Sequence, residues 1–200
     1  MTDRPTEQTL SRAERINVRI SVTQTILAIV GIFIGSVALY AALGESEAVR
    51  KQTEASVWPR LDMAVVYYGF EGEERIDILA RNRGIGPAVV EFVHVAVDGA
   101  TATNWSEVIR AVAPDEVIAT SNQSIERTVV SPNEDIKMLS VEEKYSSNAL
   151  TRAIRDAIGR ERIKVEICYC SVFDSCWKTK LSGGAPDEVD ACEKKDPTAF

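Results

Sequence analysis

Four cysteines are the residues in this 200-residue chain whose spacing could carry covalent or metal chemistry. They are Cys168, Cys170, Cys176 and Cys192, all near the C-terminal end. An even number of thiols gathered in one region can close disulfides in an oxidising compartment, ligate a soft metal, or form a redox-active pair. In the run IKVEICYC, residues 163, 165, 167 and 169 are apolar and share one face of a strand. Cys168 and Cys170 therefore lie on the other face, beside Lys164 and Glu166. Same-face neighbours two apart bond to one another only with strain, so Cys176 and Cys192 are the partners in reach. Two pairings remain: Cys170–Cys176 with Cys168–Cys192, or Cys168–Cys176 with Cys170–Cys192. The first is preferred, because Cys170 and Cys176 flank the short turn at Phe173-Asp174-Ser175. Reduced thiols on a cytoplasmic domain are the alternative state. Zinc is disfavoured, because the single C-x-C has no paired C-x-x-C and no histidine nearby. A redox pair is disfavoured, because no C-x-x-C opens a helix. No metal and no cofactor is expected.

Other chemistry finds no constellation. His94 is the single histidine and shares a strand face with Phe92 and Ala96, which suits a structural role. Gly84-x-Gly86 is followed by Pro87 and a strand, so it is a turn and not a phosphate loop. No nucleophile elbow or triad spacing is present, and no catalytic residue is assigned. Asn104 and Asn122 match the N-x-S glycosylation pattern.

The elements that must position the cysteines read as strands. Period-two alternation marks 61–68, 75–82, 88–97, 134–141 and 162–170, with shorter runs at 116–120 and 124–130. Asp98-Gly99 is a hairpin signal. One helix interrupts, ALTRAIRDAIG at 149–159, with Ser147 or Asn148 as its cap and Gly159 at its C-terminal end. The expected fold is mainly β: an antiparallel sandwich over 59–181 with one inserted helix. The acidic tail 182–200, rich in Gly, Pro and charge, reads as flexible.

Ahead of this body, residues 22–43 (VTQTILAIVGIFIGSVALYAAL) carry no charge and have membrane-spanning length. The run exceeds a signal-peptide core, and about twenty residues precede it, which favours an uncleaved anchor over a cleaved signal. Residues 1–21 form an amphipathic arm holding Arg4, Arg12, Arg15 and Arg19. Residues 44–58 extend the anchor helix until Trp58-Pro59 stops it. Arginines before the span slightly outnumber Arg50 and Lys51 after it. With the clustered cysteines, this favours a cytoplasmic N-terminus and a body outside the cytoplasm; the opposite orientation places the body in the cytoplasm. Net charge is −7, and the arginine-bearing arm leaves the body more acidic still, which excludes a nucleic-acid partner.

Asn82 to Ala88, NRGIGPA, lies between two strands and resembles the N-x-G-x-G-x-A corner of immunoglobulin-like, adhesion-type domains of bacterial surface and envelope proteins. The order of arm, single span, charged helix, Trp-Pro and β-domain is similar to that of bacterial single-pass membrane proteins, and ICYCSVFDSCW fits their closing hairpin. The resemblance implies a β-sandwich with a binding or scaffold role and carries over no catalytic residue.

The expected function is a membrane-anchored interaction or scaffold module with the bilayer and an unidentified protein as partners. The other reading is an accessory subunit whose span packs on other helices. Gly31 and Gly35 form a G-x-x-x-G step with Ser36 beside it, a small face on which a second helix can approach. Replacing both glycines with Leu should reduce self-association in a membrane two-hybrid assay; an unchanged signal would remove the weak homodimer.

Overall fold

A computed structural model describes residues 12–69, 73–117 and 119–193. It divides into two compact units, residues 1–52 and 53–200.

The first unit is helical. A single uninterrupted helix, α1, runs Arg12–Ser56 and contains the whole apolar run. Its described apolar side chains are exposed, Ile32 at 71 % and Phe33 at 69 %. Hydroxyls within the helix turn back on its own backbone: Thr25 donates to Ser21 O at 2.9 Å and Ser36 to Ile32 O at 2.9 Å. Such groups need no polar partner from outside. The helix stops one residue before Val57-Trp58-Pro59, as the proline requires.

The second unit holds two antiparallel sheets. Their strands, in chain order, are β1 (Leu61–Tyr68), β2 (Arg75–Asn82), β3 (Ala88–Val97), β4 (Ala100–Ala102), β5 (Thr120–Asn122), β6 (Val129–Val130), β7 (Asp135–Glu142), β8 (Ile163–Cys170), β9 (Cys176–Lys180) and β10 (Asp187–Val189). One sheet has the order β1-β2-β7-β5. The other runs β10-β9-β8-β3, with the far edge of β3 shared by β4 and β6. Alternate residues of both sheets meet in one core, Ile76, Ile78 and Ala80 from β2 with Val95, Val165 and Ile167 from β3 and β8. Asp98 and Gly99 both have positive φ, 51° and 85°, the geometry that closes a two-residue hairpin between β3 and β4. Arg162 grips the Asp98 carboxylate through two hydrogen bonds of 2.8 and 2.7 Å and holds its pKa below the usual range.

Several expectations need correction. Strands cover about a third of the chain, and α1 alone approaches their combined length, so the whole is not mainly β. Among the described residues the body holds two helices, not one. The second, α2 (Trp105–Val112), has Asn104 as its N-cap, accepting from Glu107 N. The Glu107 carboxylate returns to Thr103 N at 2.7 Å. That reciprocal arrangement is a capping box displaced by one residue. The expected helix is α3 (Asn148–Gly159), capped by Ser147. Its C-cap is Arg160, and the left-handed position falls to Glu161 at φ 55°, not to Gly159. The run 124–130 is strand only at β6, because Glu126 and Arg127 form a turn. Of the described residues in the run 116–120, only Thr120, where β5 begins, is strand. The tail is not free through its described part: β10 pairs with β9 and Cys192 is joined to β8.

Between β2 and β3 the chain passes from one sheet to the other at the Asn82–Ala88 corner. Asn82 is fully buried. Its Oδ1 accepts from Gly84 N at 2.9 Å and Arg60 N at 3.2 Å, and its Nδ2 donates to Gly86 O at 2.8 Å and Val130 O at 2.9 Å. All four bonding positions of the amide are filled. The glycines are needed for close approach: a Cβ on Gly86 would overlap the Val57 carbonyl, and one on Gly84 would overlap the 58–60 backbone. Asn82→Ala should cost at least about 3 kcal/mol in denaturant unfolding, since it leaves several buried groups unpaired. Asn82→Asp should also be destabilising, because a carboxylate cannot donate to Gly86 and Val130; a near-neutral Asp variant would show that the donor half of the side chain is dispensable.

Candidate functional site

The cysteines converge at the end of the second sheet. β8 turns Ile163, Val165, Ile167 and Tyr169 into the core, which leaves Cys168 and Cys170 on its other face. In register, Cys168 stands between Phe92 of β3 and Lys178 of β9, and Cys170 between Val89 and Cys176. Cys170 and Cys176 are thus directly opposed across the hairpin, Cα–Cα 4.0 Å, with sulfurs 2.08 Å apart. The tail brings Cys192 to Cys168, with sulfurs 2.05 Å apart. This is the first of the two pairings considered. Cys168, Cys170 and Cys176 are all buried, although their face begins with exposed Lys164. The two bridges touch: Cys170 Sγ lies 3.7 Å from Cys192 Sγ.

The turn between the paired cysteines is well built. Ser171 N donates to Ser175 O at 2.8 Å, while Ser171 Oγ accepts from Phe173 N and Ser175 N at 3.2 and 3.3 Å. Asp174 takes the left-handed position at φ 63°. In the chain-entropy view the bridge between neighbours contributes less than the longer Cys168–Cys192 loop, which is worth about 3 kcal/mol or slightly more. Beyond the turn, Trp177 stacks on Tyr169 at a 5.8 Å centroid distance and meets Trp58 edge-on at 6.3 Å. This aromatic row links the cysteine hairpin to the segment leading into β1.

Other titratable groups among the described residues are engaged chiefly in ion pairs. His94 borders an open cleft of about 380 Å³ with Lys164, Glu166 and Lys180. Lys180 is paired to Asp187 at 2.7 Å and Glu166 to Lys178 at 3.6 Å. Among the described residues no hydrogen bond joins His94 to a hydroxyl or thiol. Buried Asp77 accepts from Ser140 Oγ at 2.6 Å and is flanked by Arg75 at 3.2 Å and Lys137 at 3.4 Å. Its carboxyl group is held within its sheet by these three partners.

Gly31 and Gly35 lie one turn apart on α1, where an added Cβ would meet nothing within 4 Å. They belong to the first unit and the cysteines to the second. The Asn82 amide was missed as a structural centre, since its partners Arg60 and Val130 are 22 and 48 residues away. The Asn104…Glu107 spacing was a readable signal for α2.

No family model, no curated protein and no solved structure matches this chain. The reading of its function therefore rests on its own residues.

Tyr169 provides a direct check on the packing around the cysteines. It is fully buried. Its hydroxyl approaches the Leu61 backbone without a hydrogen bond of good geometry. Burial pushes its pKa up to about 12, with the Leu61 backbone pulling weakly the other way. Because the folded value lies above the unfolded value of about 10, the associated stability is fully present below pH 10 and is lost as pH rises toward 12. Tyr169→Phe should change stability at pH 7 by less than about 1 kcal/mol. It should also flatten the fall in melting temperature between pH 10 and 12; an unchanged slope would mean that the phenol is not desolvated.

Proposed function

We propose that this chain is a membrane-anchored, non-catalytic interaction module: an immunoglobulin-like β-sandwich carried on a single span, its N-terminus cytoplasmic and its body outside. The observation that carries the reading is α1. Its central run is uncharged, its aliphatic side chains are exposed, and its Thr23, Thr25 and Ser36 hydroxyls are satisfied within the helix. A surface of that kind is stable against lipid and unstable against water. Sulfurs at disulfide distance support a body in an oxidising compartment. The engaged charges at the His94 cleft and at Asp77 support a role without catalysis.

The contact face for a protein partner is the end of the body at the Asn82 corner. Ile85, Val129, Val172 and Trp58 are exposed there, at 65, 57, 55 and 42 %. They belong to one end because Ile85 N bonds to Trp58 O and Val89 pairs with both Val129 and Cys170. Exposed apolar groups grouped this way mark interaction surfaces. The second reading, an accessory subunit held through its span, rests on the open faces of Gly31 and Gly35.

Two measurements test this. A reporter active only in the cytoplasm, fused after Phe200, should be silent; activity would reverse the orientation. In detergent, proteins that co-purify with the native chain should be lost from an Ile85→Glu/Val172→Glu variant and retained by Gly31→Leu/Gly35→Leu. The opposite pattern would establish the accessory-subunit reading.

A further inference from the structure

The geometry points to a second state of the cysteine cluster: once reduced, Cys168, Cys170, Cys176 and Cys192 form a four-thiolate site for one zinc(II) ion. The state is independent of the interaction face proposed above. It is open to the chain before its disulfides close, or wherever the body meets a reductant.

The argument begins from distances. In a tetrahedral zinc site with Zn–S bonds of about 2.3 Å, neighbouring sulfurs are about 3.8 Å apart. Cys170 Sγ and Cys192 Sγ, which are not bonded to one another, already stand 3.7 Å apart. The sulfurs of Cys170, Cys176 and Cys192 all lie within 4.8 Å of one another, and Cys168 Sγ is bonded to Cys192 Sγ. Cys168 Sγ lies outside that three-sulfur group, and once its bond to Cys192 opens it must turn toward the other sulfurs to complete the set.

The scaffold holds the ligands in place without the disulfides. Cys168 and Cys170 sit on β8, which is paired on both sides, and Cys176 opens β9 opposite Cys170. Cys192 follows β10, which is fixed on β9 by the Asp187, Glu188 and Val189 pairs and by the Lys180–Asp187 ion pair of 2.7 Å. Breaking the Cys168–Cys192 bond therefore leaves Cys192 beside its partners. Cys192 is partly exposed, which gives an ion a route to the buried sulfurs. Lys178, opposite Cys168 in register, adds an ammonium on the thiolate face, shared with Glu166 at 3.6 Å. A nearby cation favours thiolate over thiol.

The donor set selects the metal. Four sulfurs with no nitrogen or oxygen ligand in the cluster favour a soft or borderline ion, and zinc accepts tetrahedral coordination without a ligand-field penalty. The chemistry balances. Each disulfide takes two electrons from a dithiol, which leaves as its own disulfide, and two protons. Four thiols then lose four protons as four Zn–S bonds form.

The test uses the untagged full-length chain in detergent, reduced anaerobically with a phosphine that is then removed. Cobalt(II) should bind one ion per chain with the visible ligand-field absorption of tetrahedral thiolate coordination. One equivalent of zinc should bleach that absorption and shield all four thiols from alkylation. Cys192→Ser, which keeps three sulfurs, should weaken zinc binding by at least about a hundredfold. Absence of the cobalt spectrum in a chain that keeps its sheet circular dichroism overturns the proposal. So does undiminished zinc affinity in Cys192→Ser. If reduction unfolds the body, zinc should restore the sheet signal, and failure to restore it is equally decisive. None of these outcomes depends on the partner-binding face, so the two proposals fail separately.

Discussion

One buried amide governs how this body is put together. Asn82 closes β2, where the chain must leave one sheet and enter the other. Its side chain binds the corner itself, the Arg60 amide just before β1, and the Val130 carbonyl of β6 in the second sheet. Its backbone adds a bond from its N–H to Glu134 O and accepts one from Asn133 N. The corner itself and two distant stretches, the approach to β1 and residues 130–134, are thus fixed by one residue. In a water-free site each of these groups would be costly unpaired, so they are satisfied together or not at all. The absent side chains at Gly84 and Gly86 follow from the same constraint, because the Val57–Arg60 backbone occupies the space a Cβ would need.

From that corner the rest of the second unit can be traced. Arg60 leads into β1, whose eight residues pair along β2. β3 starts just past the corner and serves as the hub of the second sheet, pairing with β8 on one side and with β4 and β6 on the other. β8 carries the cysteines outward and Tyr169 inward, and Trp177 on β9 returns the aromatic contact to Trp58. The corner and the cysteine hairpin therefore brace the same segment from two sides, one by hydrogen bonds and one by aromatic packing.

The long strands were legible because they bury one face and so impose strict alternation: β1, β2 and β3 lie at the expected residues, and β7 and β8 within one residue of them. The end of α1 was legible from Trp58-Pro59. The short elements were not. β5 and β6 are defined by what they pair with, and a two-residue strand has no period to detect. α2 was missed although Trp105, Val108, Ile109 and Val112 recur at i, i+3, i+4 and i+7 and its cap was in plain view; at two turns it is short enough to pass for a loop between strands. The tail was misread for a different reason. Glycine, proline and charge describe its composition correctly, but the cross-link at Cys192 and the pairing of β10 override composition. The positions of the cysteines on β8 followed from strand period. Their burial did not, since it depends on Cys192 of the tail, which is bonded to Cys168 and lies against Cys170.

The bridge between Cys168 and Cys192 encloses β9, β10 and the Ser182-Gly183-Gly184-Ala185 turn within one covalent ring. A protease that cuts this exposed glycine turn therefore severs the backbone without dividing the molecule. The upstream end stays joined to β8 through the backbone of β9, and the C-terminal piece stays joined through the Cys192 sulfur and docked on β9. That converts a cleavage that would remove β10 into a nick the body can carry.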